Sequence, residues 1–226
     1  MTRGMRGVLL LLLLIGGAVL IGVGVLAANN QNAAALPEAA KEGEMSVEEA
    51  IAARRSVRQF TDAVPAERVI AQLCWAAQGV TDPRRGYRAA PSAGATYPLE
   101  LYVVTAEGVN RYVPAEHAFV PHLEGDLRGR LRAAALGQPF VESAPVVFVF
   151  AADVQRTAGR YGERAKRYVN MEVGHAAQNL LLQAEALGLA GVPVGAFRDE
   201  QVDELLELPE RQQTLYLVPI GTPPAN

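Results

Sequence analysis

Arg54-Arg55-Ser56-Val57-Arg58-Gln59-Phe60 places three guanidinium groups and a hydroxyl within five residues, at the point where a short helix gives way to extended chain. In an extended segment alternate residues share a side, so Ser56 and Arg58 point the same way and Arg54 can fold back toward them. Planar guanidinium forks bind phosphate through charge-assisted, bidentate hydrogen bonds, and the stretch suits that anion. A solvated cluster complementing the negative end of a helix has the same composition. Both readings stay open until the neighbouring chain is read.

Upstream, Ser46-Val47-Glu48-Glu49 is a capping-box pattern and predicts a short helix ending around Arg54 and Arg55. Downstream, Pro65 opens a helix over Ala66 to Gln78 that Gly79 stops, and a loop rich in Pro, Gly and Arg runs to Pro98. Strands are expected at Leu99 to Thr105, Pro145 to Ala151, Val192 to Phe197 and Leu215 to Ile220. A hairpin is expected from Arg111–Val113 and Ala118–Val120, with Asp126 capping a helix through Ala135 and Asp199 capping a last one. From about Arg164 to Leu187 the pattern is helical, and Ala176 to Leu182 is apolar on most sides, so this helix is central or lies in a subunit interface. Helices and strands interleave without a repeated βαβ unit, and no G-x-G-x-x-G or G-K-[ST] loop follows a strand. The pattern disfavours Rossmann and P-loop folds.

Before all of this, Gly7 to Ala28 is uncharged, apolar and preceded by Arg3 and Arg6, which reads as a single membrane span over residues 1–28 with the rest of the chain outside the cytoplasm. A cleaved signal peptide, leaving a secreted domain, is the alternative. Residues 29–44 are polar and Ala-rich and read as a flexible tether, so the folded domain is expected over 45–226. A net charge of -3 without a broad basic face argues against nucleic acid as a partner. The single cysteine, Cys74, rules out an intrachain disulfide and reads as an inert buried thiol.

Two further stretches resemble ligand-contacting loops. Ala90-Pro91-Ser92-Ala93-Gly94-Ala95-Thr96-Tyr97-Pro98 is built of small residues that let backbone amides approach a planar ligand, although an ordinary surface turn looks alike. Gly191-Val192-Pro193-Val194-Gly195-Ala196-Phe197 offers amides beside an apolar wall, as a buried strand would. Taken in order with Arg54–Phe60, with Gly174-His175 and Asn179 between them, the three resemble the FMN-dependent nitroreductase-like superfamily, and the SagB-type dehydrogenase branch most closely. The resemblance spans nearly all of Met45 to Pro223.

The resemblance implies a nitroreductase-like α+β fold with a mostly antiparallel mixed sheet flanked by helices. Its ligand, FMN, sits at the interface of an interlocked homodimer, with the long apolar helix buried between subunits. It implies that Arg54, Arg55, Ser56 and Arg58 grip the FMN phosphate and that Ser92, Ala93 and Gly94 line the flavin ring. Val194, Gly195 and Ala196 then present backbone N–H groups near the ring's N5 edge. The implied activity is electron or hydride transfer between a reductant and a small organic or peptide-derived substrate, without a dedicated catalytic side chain. Ala93 and Ala95 stand where many nitroreductases carry Ser and Asn, and Pro219-Ile220-Gly221 lacks the basic residue that often follows. These departures leave a flavin-free accessory module on the same scaffold as one alternative; a deiodinase-like reductase is a second, since the resemblance extends to a membrane-anchored branch of that kind. Glu172 and His175 have the E-x-x-H spacing of di-iron bundles but lack a second copy, so no metal is expected. His117 and His122 are expected to face solvent, and Tyr161, Lys166 and Tyr168 to lie on a helix surface, with substrate contact as the alternative.

Overall fold

Seven consecutive apolar residues, Val146–Ala152, form a strand with both faces covered, which is what so continuous a run requires. The computed structural model describes residues 33–225. In chain order its elements are β1 (Ala34–Ala35), α1 (Val47–Ala53), α2 (Glu67–Gln78), β2 (Val80–Asp82), β3 (Tyr87–Arg88), β4 (Leu99–Val104), β5 (Gly108–Val113), β6 (Ala118–Glu124), α3 (Arg128–Ala134), α4 (Pro139–Ser143), β7 (Val146–Ala152), α5 (Val154–Tyr161), α6 (Ala165–Ala186), β8 (Ala190–Gly191), α7 (Asp199–Leu205) and β9 (Gln213–Gly221). The main sheet has the order β1-β6-β5-β4-β7-β9-β8, and every strand pair in it is antiparallel. Among the described residues the one parallel pairing is an isolated bridge, Ser56 with Gly191.

Alternation along β7 divides the core in two. Val146, Phe148, Phe150 and Ala152 pack toward α2 and α6, while Val147, Val149 and Ala151 pack toward α3, α4 and α7. The long helix α6 answers most of its hydrophobicity inside its own chain. Val173, Ala176, Ala177, Leu180, Leu181 and Ala184 are all buried there, so these residues do not await a second subunit, as the resemblance implied. What α6 and its end leave exposed is Met171 and Leu187.

The stretch expected as a flexible tether is, over its described part, docked on the domain. Ala34 and Ala35 pair with Phe119 and Ala118 on the edge strand β6, Leu36 is buried, and the Leu36 N–H donates to the His117 carbonyl at 3.0 Å. The Gln72 side-chain amide then holds Ala40 from both sides, accepting from its N–H at 2.8 Å and donating to its carbonyl at 3.0 Å. The sequence pattern hid this because the contacts are backbone pairings, which small polar residues make as well as any. Truncation at Met45 is expected to cost about 2 kcal/mol relative to truncation at Ala33, from Leu36 burial and the lost hydrogen bonds less the entropy of ordering them. Urea unfolding of the two truncated chains measures the difference. The predicted span over residues 1–28 lies outside the described residues; among the described residues no helix is long and apolar enough to cross a membrane.

Smaller departures have local causes. The loop after Gly79 contains the β2–β3 hairpin, turned by Asp82 Oδ1 accepting from the N–H groups of Arg84 and Arg85. Val192 to Phe197 is not a regular strand: Pro193 cannot donate, and Val194 alone bridges to Leu217. Asp199 is the first residue of α7 and not its cap, which is Arg198. Asp126 lies one residue ahead of the cap position, Leu127, and binds Arg128 through both its N–H and its guanidinium.

Candidate functional site

The capping box is present as expected, Ser46 Oγ accepting from Glu49 N–H and the Glu49 carboxylate accepting from Ser46 N–H. It fixes where α1 starts, and the helix ends at Arg54. Arg55 turns back on the helix and donates to the carbonyls of Ala52 and Arg54, each at 2.9 Å, so its guanidinium serves the helix end. Arg54 and Arg58 have no carboxylate partner among the described residues. Ser56 and Arg58 are exposed and Val57 between them is half-buried, the alternation an extended segment dictates.

That segment is held by Gly191. Val57 N–H donates to the Gly191 carbonyl at 3.1 Å, and Thr61 N–H to Thr222 at 2.9 Å. A Cβ at Gly191 would stand 2.7 Å from the Pro219 carbonyl and collide with Ile220, so only glycine lets the strands approach. The chain continuing from Gly191 brings Val194 to Ala196 to the same end. Arg58 lies over the Phe140 ring of α4 at 5.7 Å, and Gln138, beside it, donates to the Ala196 carbonyl at 2.8 Å. The Val194 N–H is consumed by the Leu217 carbonyl at 2.8 Å, which corrects the expectation that it serves a ligand. Gly195 and Ala196 are exposed, and their N–H groups have no acceptor among the described residues.

Ser92, Ala93 and Gly94 belong to a second place. Gly94, Ala95 and Tyr97 all have positive φ, at 62°, 53° and 45°. For Ala95 and Tyr97 this conformation costs about 1 kcal/mol each. The turn is kept by Ser92 Oγ accepting from Tyr97 N–H at 2.9 Å and by the Thr96 and Thr157 hydroxyls, 2.8 Å apart. An Asn at position 95 would tolerate the left-handed backbone better than Ala95 does.

Beneath this loop lies a polar cluster that sequence reasoning did not identify. Arg88 donates to Gln78 Oε1 at 2.9 Å and sits over the Tyr97 ring at 4.5 Å, and Glu172 is only 2% exposed. Burial pushes the Glu172 carboxyl up to about 7, offset only in part by the Ser92 hydroxyl and the Arg88 guanidinium. The folded chain holds this proton to about pH 7, whereas the unfolded carboxyl releases it near 4.5. The folded form therefore binds more protons in that window, and stability falls as pH rises through it. Glu172→Gln is expected to abolish the slope and to be more stable than the parent at pH 8 by about 2 kcal/mol, with little difference at pH 4. Urea melts at pH 4, 6 and 8 measure it; parallel curves for the two proteins would sink the assignment.

The two places do not meet within one chain. Val146, at one end of β7, pairs with Ile220, the neighbour of Gly191 and hence of Ser56. Ala152, at the other end, pairs with Leu99, directly after the Ser92–Pro98 loop. Seven strand residues at about 3.3 Å each set the two roughly 20 Å apart.

Other candidates resolve simply. Glu172 faces inward and His175 outward, so the pair does not converge. Cys74 is fully buried and desolvation raises its pKa well above the ordinary value, which leaves an unreactive thiol. His117 and His122 do not simply face solvent: His117 bridges the Tyr112 hydroxyl at 2.8 Å and the Pro37 carbonyl at 2.9 Å, and His122 reaches the Leu206 carbonyl at 2.6 Å.

An antiparallel sheet covered by helices on both faces, with an arginine-bearing segment zipped to the glycine that precedes a Val-Gly-Ala turn, defines a protein of nitroreductase-like architecture. The chain belongs to the nitroreductase family, whose model matches residues 51–222. It is 44% identical over 184 residues to a Methanocaldococcus jannaschii protein assigned as a nitroreductase, covering 79% of this chain and 91% of that one. It is 32% identical over 186 residues to the NADPH-flavin oxidoreductase of Vibrio harveyi, covering 79% and 66%. Among solved structures, a protein of Ralstonia eutropha JMP134 assigned as a nitroreductase superposes with a TM-score of 0.79 at 27% identity, over 87% of this chain and 92% of that one. The NADPH:FMN oxidoreductase of Vibrio harveyi, complexed with NAD+, gives 0.60 at 29% identity, over 80% and 70%.

Proposed function

We propose that this protein is an FMN-dependent oxidoreductase that moves hydride or electrons between a reductant and a small organic or peptide-derived substrate. One observation carries the reading. Arg54 and Arg58, two cations without a carboxylate partner among the described residues, are zipped by Gly191 to the segment whose Gly195 and Ala196 N–H groups are free. A phosphate on the arginines and a hydrogen-bond-accepting ring edge at the amides fit this donor set, and FMN carries both. Bound there it supplies the redox chemistry, which the protein tunes through hydrogen bonds to the ring. Arg54, Arg58 and Ser56 bind the phosphate, and Gly195 and Ala196 orient the ring; Arg55 acts through the end of α1.

The Ser92–Gly94 wall comes from a second copy of the chain, since a single chain holds it at the far end of β7 from Ser56. The working form is accordingly a homodimer. The order of the three stretches favours the SagB-type dehydrogenase branch, and the apolar segment ahead of the domain favours a membrane-tethered enzyme facing away from the cytoplasm. The flavin names of the Vibrio harveyi relative support the cofactor.

The test is to purify the full chain in detergent with added FMN, remove free flavin, and measure molar mass, the visible spectrum and the cofactor released on denaturation. One FMN per chain in a dimer is the expected result. A folded dimer that holds no flavin would leave a binding or accessory module in its place.

A further inference from the structure

Gly94 is exposed, yet the side on which a side chain would stand is already occupied. A Cβ there would stand 2.8 Å from the Tyr161 hydroxyl and 3.0 Å from Arg160 Nη1, both on the last turn of α5. Tyr161 is held from behind by Tyr168, edge-on at 5.1 Å, and Arg160 lies 5.6 Å from the Tyr161 ring. The loop, the phenol and the guanidinium thus form one surface. Neither polar group is used up by the fold. The Tyr161 hydroxyl has no hydrogen-bond partner among the described residues, and Arg160 reaches the Gly94 carbonyl only at 3.5 Å, at the limit of a hydrogen bond.

The charge around this surface runs against that of the protein. The chain carries a net charge of -3, yet residues 160–167 hold Arg160, Arg164, Lys166 and Arg167 against Glu163 alone. None of the four cations has a carboxylate partner among the described residues. Elsewhere at this end of the sheet, Arg156 and Arg111 both bind Glu100, Arg211 approaches Asp153, and the half-buried Arg88 donates to Gln78. Unmatched positive charge concentrated beside one loop attracts and orients an anion.

We propose that Arg160 and Tyr161 form an anion-recognising wall beside the flavin ring, selecting a substrate or electron donor that carries a carboxylate or phosphate group. The inference rests on Ser92–Gly94 being part of the flavin site. Arg160 pairs with the anion, the Tyr161 hydroxyl donates to it, and Gly94, having no side chain, lets both reach past the loop. Arg164, Lys166 and Arg167 raise the local anion concentration without contacting it.

The FMN-loaded full chain is titrated with 4-nitrobenzoate and with its neutral methyl ester, following the flavin absorbance band under conditions without reductant. The acid is expected to bind about tenfold more tightly than the ester, the worth of one charge-assisted hydrogen bond. Raising salt from 50 to 500 mM should weaken the acid alone. Arg160→Gln should erase the preference, leaving ester affinity and flavin content unchanged, and Tyr161→Phe should reduce it by a smaller factor. Parallel titration with NADP+ and NAD+ separates the sources of the anion: a preference for NADP+ lost in Arg160→Gln assigns the wall to the donor's phosphate, and equal binding assigns it to the substrate. Equal affinity for acid and ester, or loss of both in Arg160→Gln, overturns the proposal with the flavin reading intact. A wild-type chain that retains no flavin overturns both.

Discussion

A chain carrying Arg54→Ala and Arg58→Ala is expected to lose its flavin while keeping its fold. Each guanidinium contributes charge-assisted hydrogen bonds to the phosphate worth about 1.5 to 3 kcal/mol, so the double variant should bind FMN roughly a hundred- to ten-thousandfold more weakly. The cost to folding should be small. Neither arginine has an ion pair among the described residues, and the contact of Arg58 with Phe140 is an exposed cation–π interaction worth less than about 1 kcal/mol. Arg55→Ala provides the contrast, because its guanidinium is committed to the Ala52 and Arg54 carbonyls: it should lower stability slightly and flavin affinity little. Fluorescence titration with FMN and a thermal melt on each variant separate the cases. Unchanged affinity in the double variant would falsify the phosphate site.

The largest effect on stability is expected at the centre of the sheet. Phe150 is fully buried, pairs with Leu101 on one side and Tyr216 on the other, and packs into the core shared with α6. Phe150→Ala should destabilise the protein by about 3 to 5 kcal/mol, and Phe150→Leu by much less, since most of the volume is kept. The consequence reaches function because β7 is the strut between the two half-sites. Urea unfolding gives the loss directly, and a cost below about 1 kcal/mol would mean that the strand is not where the fold places it.

How far the site was legible depended on what kind of contact each residue makes. Ser56 and Arg58 could be placed on one side from strand alternation, which is a local rule. Arg55 is identical in type to Arg54 and Arg58, and nothing in the sequence says that its side chain folds back on the carbonyls of α1. The resemblance implies a free Val194 N–H, and no local signal contradicts it, because the bridge to Leu217 joins residues far apart in the chain. The sequence shows Glu172 only as half of an E-x-x-H pair, because its burial against Ser92 and Arg88 is set by three separate segments. The positive φ of Ala95 and Tyr97 had no local signal, since neither residue favours it.

The amino-acid sequence by itself determined most of the helices and the long strands. The capping box fixed α1, the continuous apolar run marked β7 as a strand, and the long apolar helix had to be central or lie in a subunit interface. These follow from periodicity and capping, which act between residues at most a few positions apart. The tertiary structure alone decided three things: that residues 34–40 are docked on the domain, that Ser56 is zipped to Gly191, and that the Ser92–Gly94 loop stands at the opposite end of β7. Each depends on backbone pairing or strand register between distant segments. Backbone groups are the same in every residue but proline, so their partners are settled only when the whole chain has packed.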